Sequence, residues 1–210
     1  MFDFERATDY IRSLELPGST LCEEIQKDAL AGDVPIIRPE TASFLLFLIS
    51  LKKPLSILEV GTAVGYSAIR MSEVMPAGAT ITTIEKYPPR IEEAKRNFAR
   101  APRGCDITLL EGDAADILKT LDKPYDLIFM DMRMPGLDGN KTVLKLREYN
   151  EAAILVFCSG CFEPTPDSIN VGQPFRYIMK DLHDRSLKKE IPMILLKVKL
   201  CCGDSSVTVT

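Results

Sequence analysis

Four acids stand at places where a carboxylate is costly unless something meets it. Glu59 interrupts the apolar run Ser56-Ile57-Leu58-Glu59-Val60, and Glu85 closes the segment ATITTIE. Asp113 follows DITLLEG, and Asp131 closes PYDLIFMD. Just after the first acid, Gly61 and Gly65 bracket a turn that leads into Tyr66, Ser67, Ala68 and Ile69. Glycines there let the backbone come close to a ligand and adopt conformations that a side chain forbids. The free N–H groups that open the following helix point at the same spot. A carboxylate about twenty residues beyond such a turn, at the end of the next strand, can accept hydrogen bonds from the hydroxyls of a ribose.

These residues need elements to hold them. Strands that each end in an acid, separated by helical stretches, describe an open parallel sheet whose ligand lies at the carboxyl edge. Helical spacing of apolar residues predicts helices over 3–15 (Phe4, Ala7, Tyr10, Ile11, Leu14) and 19–30 (Leu21, Ile25, Ala29, Leu30), parted by Pro17 and Gly18. A third helix starts at Pro39 and runs to about Leu51, with Phe44, Leu45, Leu48 and Ile49 facing the sheet. The stretch from Pro88 to Arg100 carries mixed charge and reads as a solvated helix without chemistry of its own.

Five phrases in register, VPIIRPET, ILEVGTAVGYS, ITTIEK, LLEGDA and YDLIFMD, carry a resemblance. Residues 1 to about 131 resemble the class I S-adenosylmethionine-dependent O-methyltransferases, in the branch of the catechol, caffeoyl-CoA and bacterial tRNA hydroxyuridine methyltransferases. The resemblance implies S-adenosylmethionine as cofactor and a hydroxyl of a small molecule or an RNA nucleoside as acceptor. It puts Glu85 on the ribose, and Ser67 on the methionine carboxylate with the amides of the Gly61, Thr62 and Gly65 turn. Ile37 falls where the backbone touches the methionine part, or it is simply core. Glu59 faces the cofactor, or it belongs to a buried salt bridge. Ala114 meets the adenine, and Asp113 either joins it there or caps the next helix. Asp131 touches cofactor and acceptor, orients or deprotonates the acceptor hydroxyl, and is the family's first metal ligand.

The chain then departs from that family. Where the family phrase runs Asp-Ala-Ala-Lys, this chain has Asp131, Met132, Arg133 and Met134, so the lysine is missing. Where the family has an Asp-Asn pair of metal ligands, it has Cys158 and Ser159. Magnesium asks for hard oxygen donors, and Asp131, helped at most by Asp138 or Glu163, makes a poor site for it. Cys158 and Cys161 form a lone C-x-x-C with no second ligand pair.

The phrases DMRMPGLDG, KTVLKLREYN, AAILVFCSG and PFRYIMKD resemble instead the second half of response-regulator receiver domains of the LytTR-associated kind. That resemblance implies Asp131 as phosphoacceptor, with Ser159 and Lys180 ending the next two strands, although the acidic pair that holds magnesium has no counterpart. Both families share a parallel sheet covered by helices. The expectation is one domain over 1–210, a Rossmann-like three-layer α/β sandwich with an N-terminal helical extension. Its parts are 1–131, methyltransferase-like, and 132–210, receiver-like. The sheet order is 3-2-1-4-5-6, with strands at about 56–60, 80–85, 106–110, 125–130, 153–158 and 175–179. Helices follow at about 138–149 and 182–199, the latter interrupted at Pro192. Ser206–Thr210 alternates like an edge strand.

Composition limits the partners. A net charge of −4, with pI near 5.2, argues against a broad polyanion-binding face and leaves room for a local basic patch. No DNA-binding module is evident. Six cysteines without a disulfide framework fit a reducing cytoplasm, and one histidine excludes most histidine zinc sites. No apolar run reaches membrane-spanning length, and the amino terminus lacks the basic start of a signal peptide. The amino-terminal helices and the sheet edge allow a homodimer. Three activities fit: an O-methyltransferase, a binder of its cofactor without turnover, and a phosphoacceptor signalling module.

Overall fold

The structure is a computed structural model that describes residues 17–102, 104–131, 139–159 and 176–179. Six parallel strands form one sheet: β1 (Ser56–Val60), β2 (Thr80–Glu85), β3 (Asp106–Glu111), β4 (Leu127–Asp131), β5 (Ile154–Ser159) and β6 (Arg176–Met179). Their order is β3-β2-β1-β4-β5-β6, as the sequence predicts. The strand positions also agree, except that β4 starts two residues later than expected, at Leu127; Asp126, just before it, already bonds across to Ser56 and Ile154 through its backbone. There the Asp126 carboxylate accepts the N–H groups of Leu55 (2.8 Å) and Ser56 (2.9 Å), pinning the start of β1 beside β4.

The central strands β1, β2 and β4 are buried nearly throughout, as parallel strands covered on both faces must be. Side chains alternate between the two faces. Ile57, Ile81, Leu127 and Val156 meet a core with Leu45, Leu48, Ile49 and Ile69. Leu58, Val60, Ile84, Met130 and Phe157 meet a second core with Ala114, Leu118, Val143 and Leu146. The helices supplying these are α1 (Thr20–Ala31), α2 (Pro39–Lys52), α3 (Tyr66–Ser72), α4 (Pro88–Arg100), α5 (Ala114–Ile117) and α6 (Gly139–Tyr149). Four of them form where a local start signal permits. Ser19 caps α1 by accepting the Cys22 N–H, and Asp113 caps α5 by accepting that of Ala115. Proline opens α2 and α4, where its missing N–H is not needed.

The register sets the edge that matters. Glu59 lies beside Thr83 on one side and Phe129 on the other, while Glu85 is level with Glu111. The carboxyl ends of β1, β2, β3 and β4 therefore finish together. At the opposite end, α1 docks on α3 through a partly exposed polar clamp. Arg70 pairs with Glu73 at 2.5 Å, and Glu73 also accepts the Ser19 N–H (3.1 Å) and the Cys22 thiol (3.4 Å).

No described helix is long and apolar enough to cross a membrane. The helices expected at 3–15 and 182–199, the strand expected at 206–210, and Asp138, Cys161, Glu163, Lys180 and Pro192 lie outside the described residues.

Candidate functional site

A cleft of about 570 Å³ opens across the carboxyl ends of β1, β2 and β4 and the start of α5, a size suited to a small organic ligand. Its back is the glycine turn. Gly61 has φ 108°, and a Cβ there would stand 3.2 Å from the Cβ of Asp131, so glycine is what allows the end of β4 to lie against the turn. Gly65 has φ 85° and serves packing: a Cβ would come within 2.7 Å of the Phe98 ring on α4. Gly61 lines the cleft, whereas Gly65 stands behind its wall.

The turn's amides are engaged within the chain. Those of Gly61 and Thr62 donate to the Ile84 carbonyl at 3.1 and 3.0 Å, and that of Gly65 to the Thr62 carbonyl at 2.9 Å. The sequence reading had them free to face a ligand. The structure instead uses them to fasten the turn to the end of β2, because a buried turn must satisfy its own N–H groups. Ala63 takes φ 49°, uncommon for a residue with a side chain, and its N–H reaches Glu85 Oε2 at 2.9 Å.

Glu85 ends β2, lines the cleft and is 8% exposed. Its Oε1 accepts the N–H groups of Lys86 and Tyr87, each at 3.0 Å. With Ala63 on Oε2, these bonds take three of about four lone-pair positions of a carboxylate and fix its plane. Among the described residues, one position on Oε2 stays open for a donor such as a hydroxyl.

Glu59, 4% exposed, borders the same cleft. Its Oε1 accepts the Ser67 hydroxyl, and its Oε2 accepts that of Thr83 at 2.6 Å. Thr83 is in turn 2.6 Å from the Thr62 hydroxyl. Two hydroxyls from different elements thus reach this carboxylate, contacts that the sequence alone did not assign.

The remaining predicted residues border the same space. Ile37, in the segment before α2, forms part of the apolar side with Ile36 and Leu45. Ala114 is buried at the start of α5. Asp113 lies at the cleft edge, capping α5 and pairing with Lys86 at 3.2 Å. The Ala115 N–H, and then the Lys86 ammonium, hold its carboxyl below the usual range. Half-buried Asp131 closes β4 beside Gly61. At the lip, the Arg90 guanidinium stands 5.6 Å from the Tyr87 ring centroid.

Sequence reasoning missed Thr83 and Asn97. Thr83 carried a signal, being two residues before Glu85 and level with Glu59 on the same face of adjoining strands. Asn97 carried one as well, standing in the helical stripe Ile91, Ala94, Asn97. Its side-chain amide donates to the Val64 carbonyl at 2.8 Å, so the helix read as merely solvated braces the glycine turn from behind. Its outer face is as expected, with Lys95 between Glu92 (3.2 Å) and Glu111 (2.8 Å).

Of the alternative phosphoacceptor set, Asp131 and Ser159 end neighbouring strands, and Lys180 is outside the described residues. Among the described residues, no group of three or more His, Cys, Asp or Glu could hold a metal ion. Magnesium asks for several oxygen ligands, of which Asp131 is the one predicted candidate among the described residues.

The sequence profile of the O-methyltransferase family matches residues 19–135, more than half of the chain. A catechol O-methyltransferase from Niastella koreensis is 34% identical over 103 residues, 47% of each chain. An O-methyltransferase, ankF, from Aspergillus thermomutatus is 36% identical over 97 residues, 45% of this chain and 41% of that one. The chain thus spans about half the length of the curated relatives it matches. Among solved structures, the O-methyltransferase TomG from Streptomyces achromogenes, crystallised with S-adenosylmethionine, is 25% identical with a TM-score of 0.59, over 71% of this chain and 70% of that one. The Podospora anserina methyltransferase PaMTH1, bound to S-adenosylhomocysteine, shares the fold over 98% of this chain and 88% of its own, with a TM-score of 0.63 at 21% identity. Profile, relatives and fold agree with the five phrases in register, and the chain belongs to the O-methyltransferase family.

Proposed function

We propose that the protein binds S-adenosylmethionine in this cleft and transfers its methyl group to a hydroxyl oxygen of a small molecule or an RNA nucleoside. The observation that carries the reading is Glu85, a nearly buried carboxylate held rigid by three backbone amides at the end of β2, beside a glycine turn. When bound, the cofactor supplies an electrophilic methyl group on a sulfonium. Glu85 accepts a ribose hydroxyl, and Ala114 offers the adenine a small apolar neighbour. Glu59 and Ser67 border the amino-acid tail beside the turn. Asp131 orients the acceptor hydroxyl and takes its proton. Most of the acceleration then comes from alignment.

Methyl transfer from labelled S-adenosylmethionine to a panel of catechols and hydroxyuridine RNA tests this. Asp131→Asn is expected to lower turnover by about a hundredfold, the range of a lost general base. An unchanged rate would remove Asp131 from the chemistry. A second reading, cofactor binding without turnover, is favoured by the Met-Arg-Met that follows Asp131 where the family phrase carries lysine. Cofactor binding with silence across the whole panel would select it. The same proposal places the protein in the cytoplasm, a reading supported by the free thiols of Cys22 and Cys105. It also allows a homodimer, for which the exposed Phe47 and Leu51 on α2 are candidates.

A further inference from the structure

We propose that Ser19, Cys22 and Glu73 anchor a conformational device: they fasten α1 to the far end of α3, and so hold closed the strap of residues 32–38 that forms part of the cleft's apolar side. The inference goes beyond the reading above and rests on it only for the ligand used as a probe.

The strap has little hold of its own. It joins α1 to α2, and its Pro35, Ile36 and Ile37 line the cleft. Gly32, Asp33 and Pro35 are exposed, and Ile37 is its buried side chain. The N–H groups of Gly32, Asp33 and Val34 donate back to the Asp28, Leu30 and Ala29 carbonyls of α1 at 3.0, 3.4 and 2.8 Å. That of Ile36 donates within the strap, to the Val34 carbonyl at 2.9 Å. Among the described residues, no backbone hydrogen bond of 32–37 reaches the sheet. The strap therefore goes where α1 goes.

α1 is fixed at its other end. Glu73 Oε1 accepts the Ser19 N–H at 3.1 Å and the Cys22 thiol at 3.4 Å, while its Oε2 pairs with Arg70 at 2.5 Å. The chain entering α1 fits tightly against this clamp, since a Cβ on Gly18 would stand 3.0 Å from Arg70 Nη1 and 3.0 Å from the Cys22 Cβ. Elsewhere α1 is held by Ile25 and Ala29 in the core and by an exposed ion pair of Glu24 with Arg100, a kind of contact that contributes little.

The consequence is geometric. α3 runs from Tyr66 and Ser67, which line the cleft, to the clamp, and α1 returns from the clamp to the strap. Two helices fastened at one end thus hold the cleft between their other ends. Closure of this kind needs only a few residues at a hinge that lies away from the ligand.

Two lesions of the clamp test the device. Glu73→Ala removes the acceptor, and Gly18→Val wedges the clamp from the opposite side. Hydrogen exchange read by mass spectrometry on the unliganded protein should show residues 20–37 exchanging about tenfold faster in each variant, with β1, β2 and β4 at the wild-type rate. Calorimetry should show S-adenosylhomocysteine bound about fivefold more weakly by each. On the wild-type protein the same ligand should slow exchange over 32–37. If Glu73→Ala does not fold, as judged by circular dichroism, Gly18→Val is read alone. Exchange that is unchanged over 20–37, or raised equally across the sheet, overturns the proposal. An unchanged affinity in variants whose α1 exchanges faster overturns it also, since the strap then closes nothing. Wild-type protein that binds no S-adenosylhomocysteine counts against the cofactor reading, while the exchange measurement without ligand still decides whether the clamp holds α1 and the strap.

Discussion

At the scale of single residues, the site depends on where glycine is required and where a charge is held. Gly61→Ala puts a Cβ at φ 108° and 3.2 Å from Asp131, and is expected to cost about 1–3 kcal/mol. Gly65→Ala forces the Phe98 ring aside from 2.7 Å and is expected to cost at least as much, about 2–3 kcal/mol. Urea unfolding of the two variants measures both. The acids were legible, because a carboxylate at the end of an apolar strand stands out in any sequence. Their partners were not. Which amides reach Glu85 depends on the left-handed conformation of Ala63 and on the backbone after β2, and neither has a residue-type signature. The thiols give a prediction in pH. Burial pushes Cys22 and Cys105 up from 9.0 to about 11. A group whose folded value is raised adds stability that is complete below its unfolded value and is lost as pH climbs through the folded one. Stability should therefore decline between pH 9.0 and about 11, and a Cys22→Ala, Cys105→Ala double variant should decline less over the same interval.

At the scale of elements, α4 shows how one helix can be read half correctly. Its charges do form a solvated face with ion pairs, as their spacing implied. Its inner face holds the glycine turn by two independent contacts, the Phe98 ring against Gly65 and the Asn97 amide on the Val64 carbonyl. Asn97→Ala leaves that buried carbonyl short of a donor and is expected to destabilise the fold by about 1–3 kcal/mol. It should also weaken S-adenosylhomocysteine binding, because the turn it loosens lines the cleft; equilibrium unfolding and calorimetry on one variant check both effects. Helix periodicity marks Asn97 as inward-facing, but not what lies opposite. That is fixed by the connection between β1 and α3, which is distant in sequence. The clamp between α1 and α3 was hidden for the same reason: Ser19, Cys22 and Glu73 are joined only by the docking of one helix on another.

At the scale of the whole molecule, the sheet order is the one that the family resemblance implied. From β1 the chain builds outward to β2 and β3, then returns to add β4 on the other side. The cleft lies at that reversal, where open α/β sheets place their ligands. β4 and β5 are both largely apolar and pair in parallel from Leu127 to Asp131, so the sheet continues past the change of phrase after Asp131. A ligand held by β1, β2 and β4 together must stabilise the folded state as a unit. At a hundred times its dissociation constant, S-adenosylhomocysteine should add about 2.7 kcal/mol. For a chain of this length that raises the melting temperature by roughly 5–10 °C, readable by scanning calorimetry. No shift at saturation would separate the fold from the function proposed for it.

The most direct measurement is a crystal structure of the complex with S-adenosylhomocysteine. It should show the ribose hydroxyls at the Glu85 carboxylate, the adenine against Ala114, and the amino-acid tail beside the Gly61 turn. A ligand seated elsewhere, or a Glu85 carboxylate swung out of the cleft to make room for it, would contradict the account.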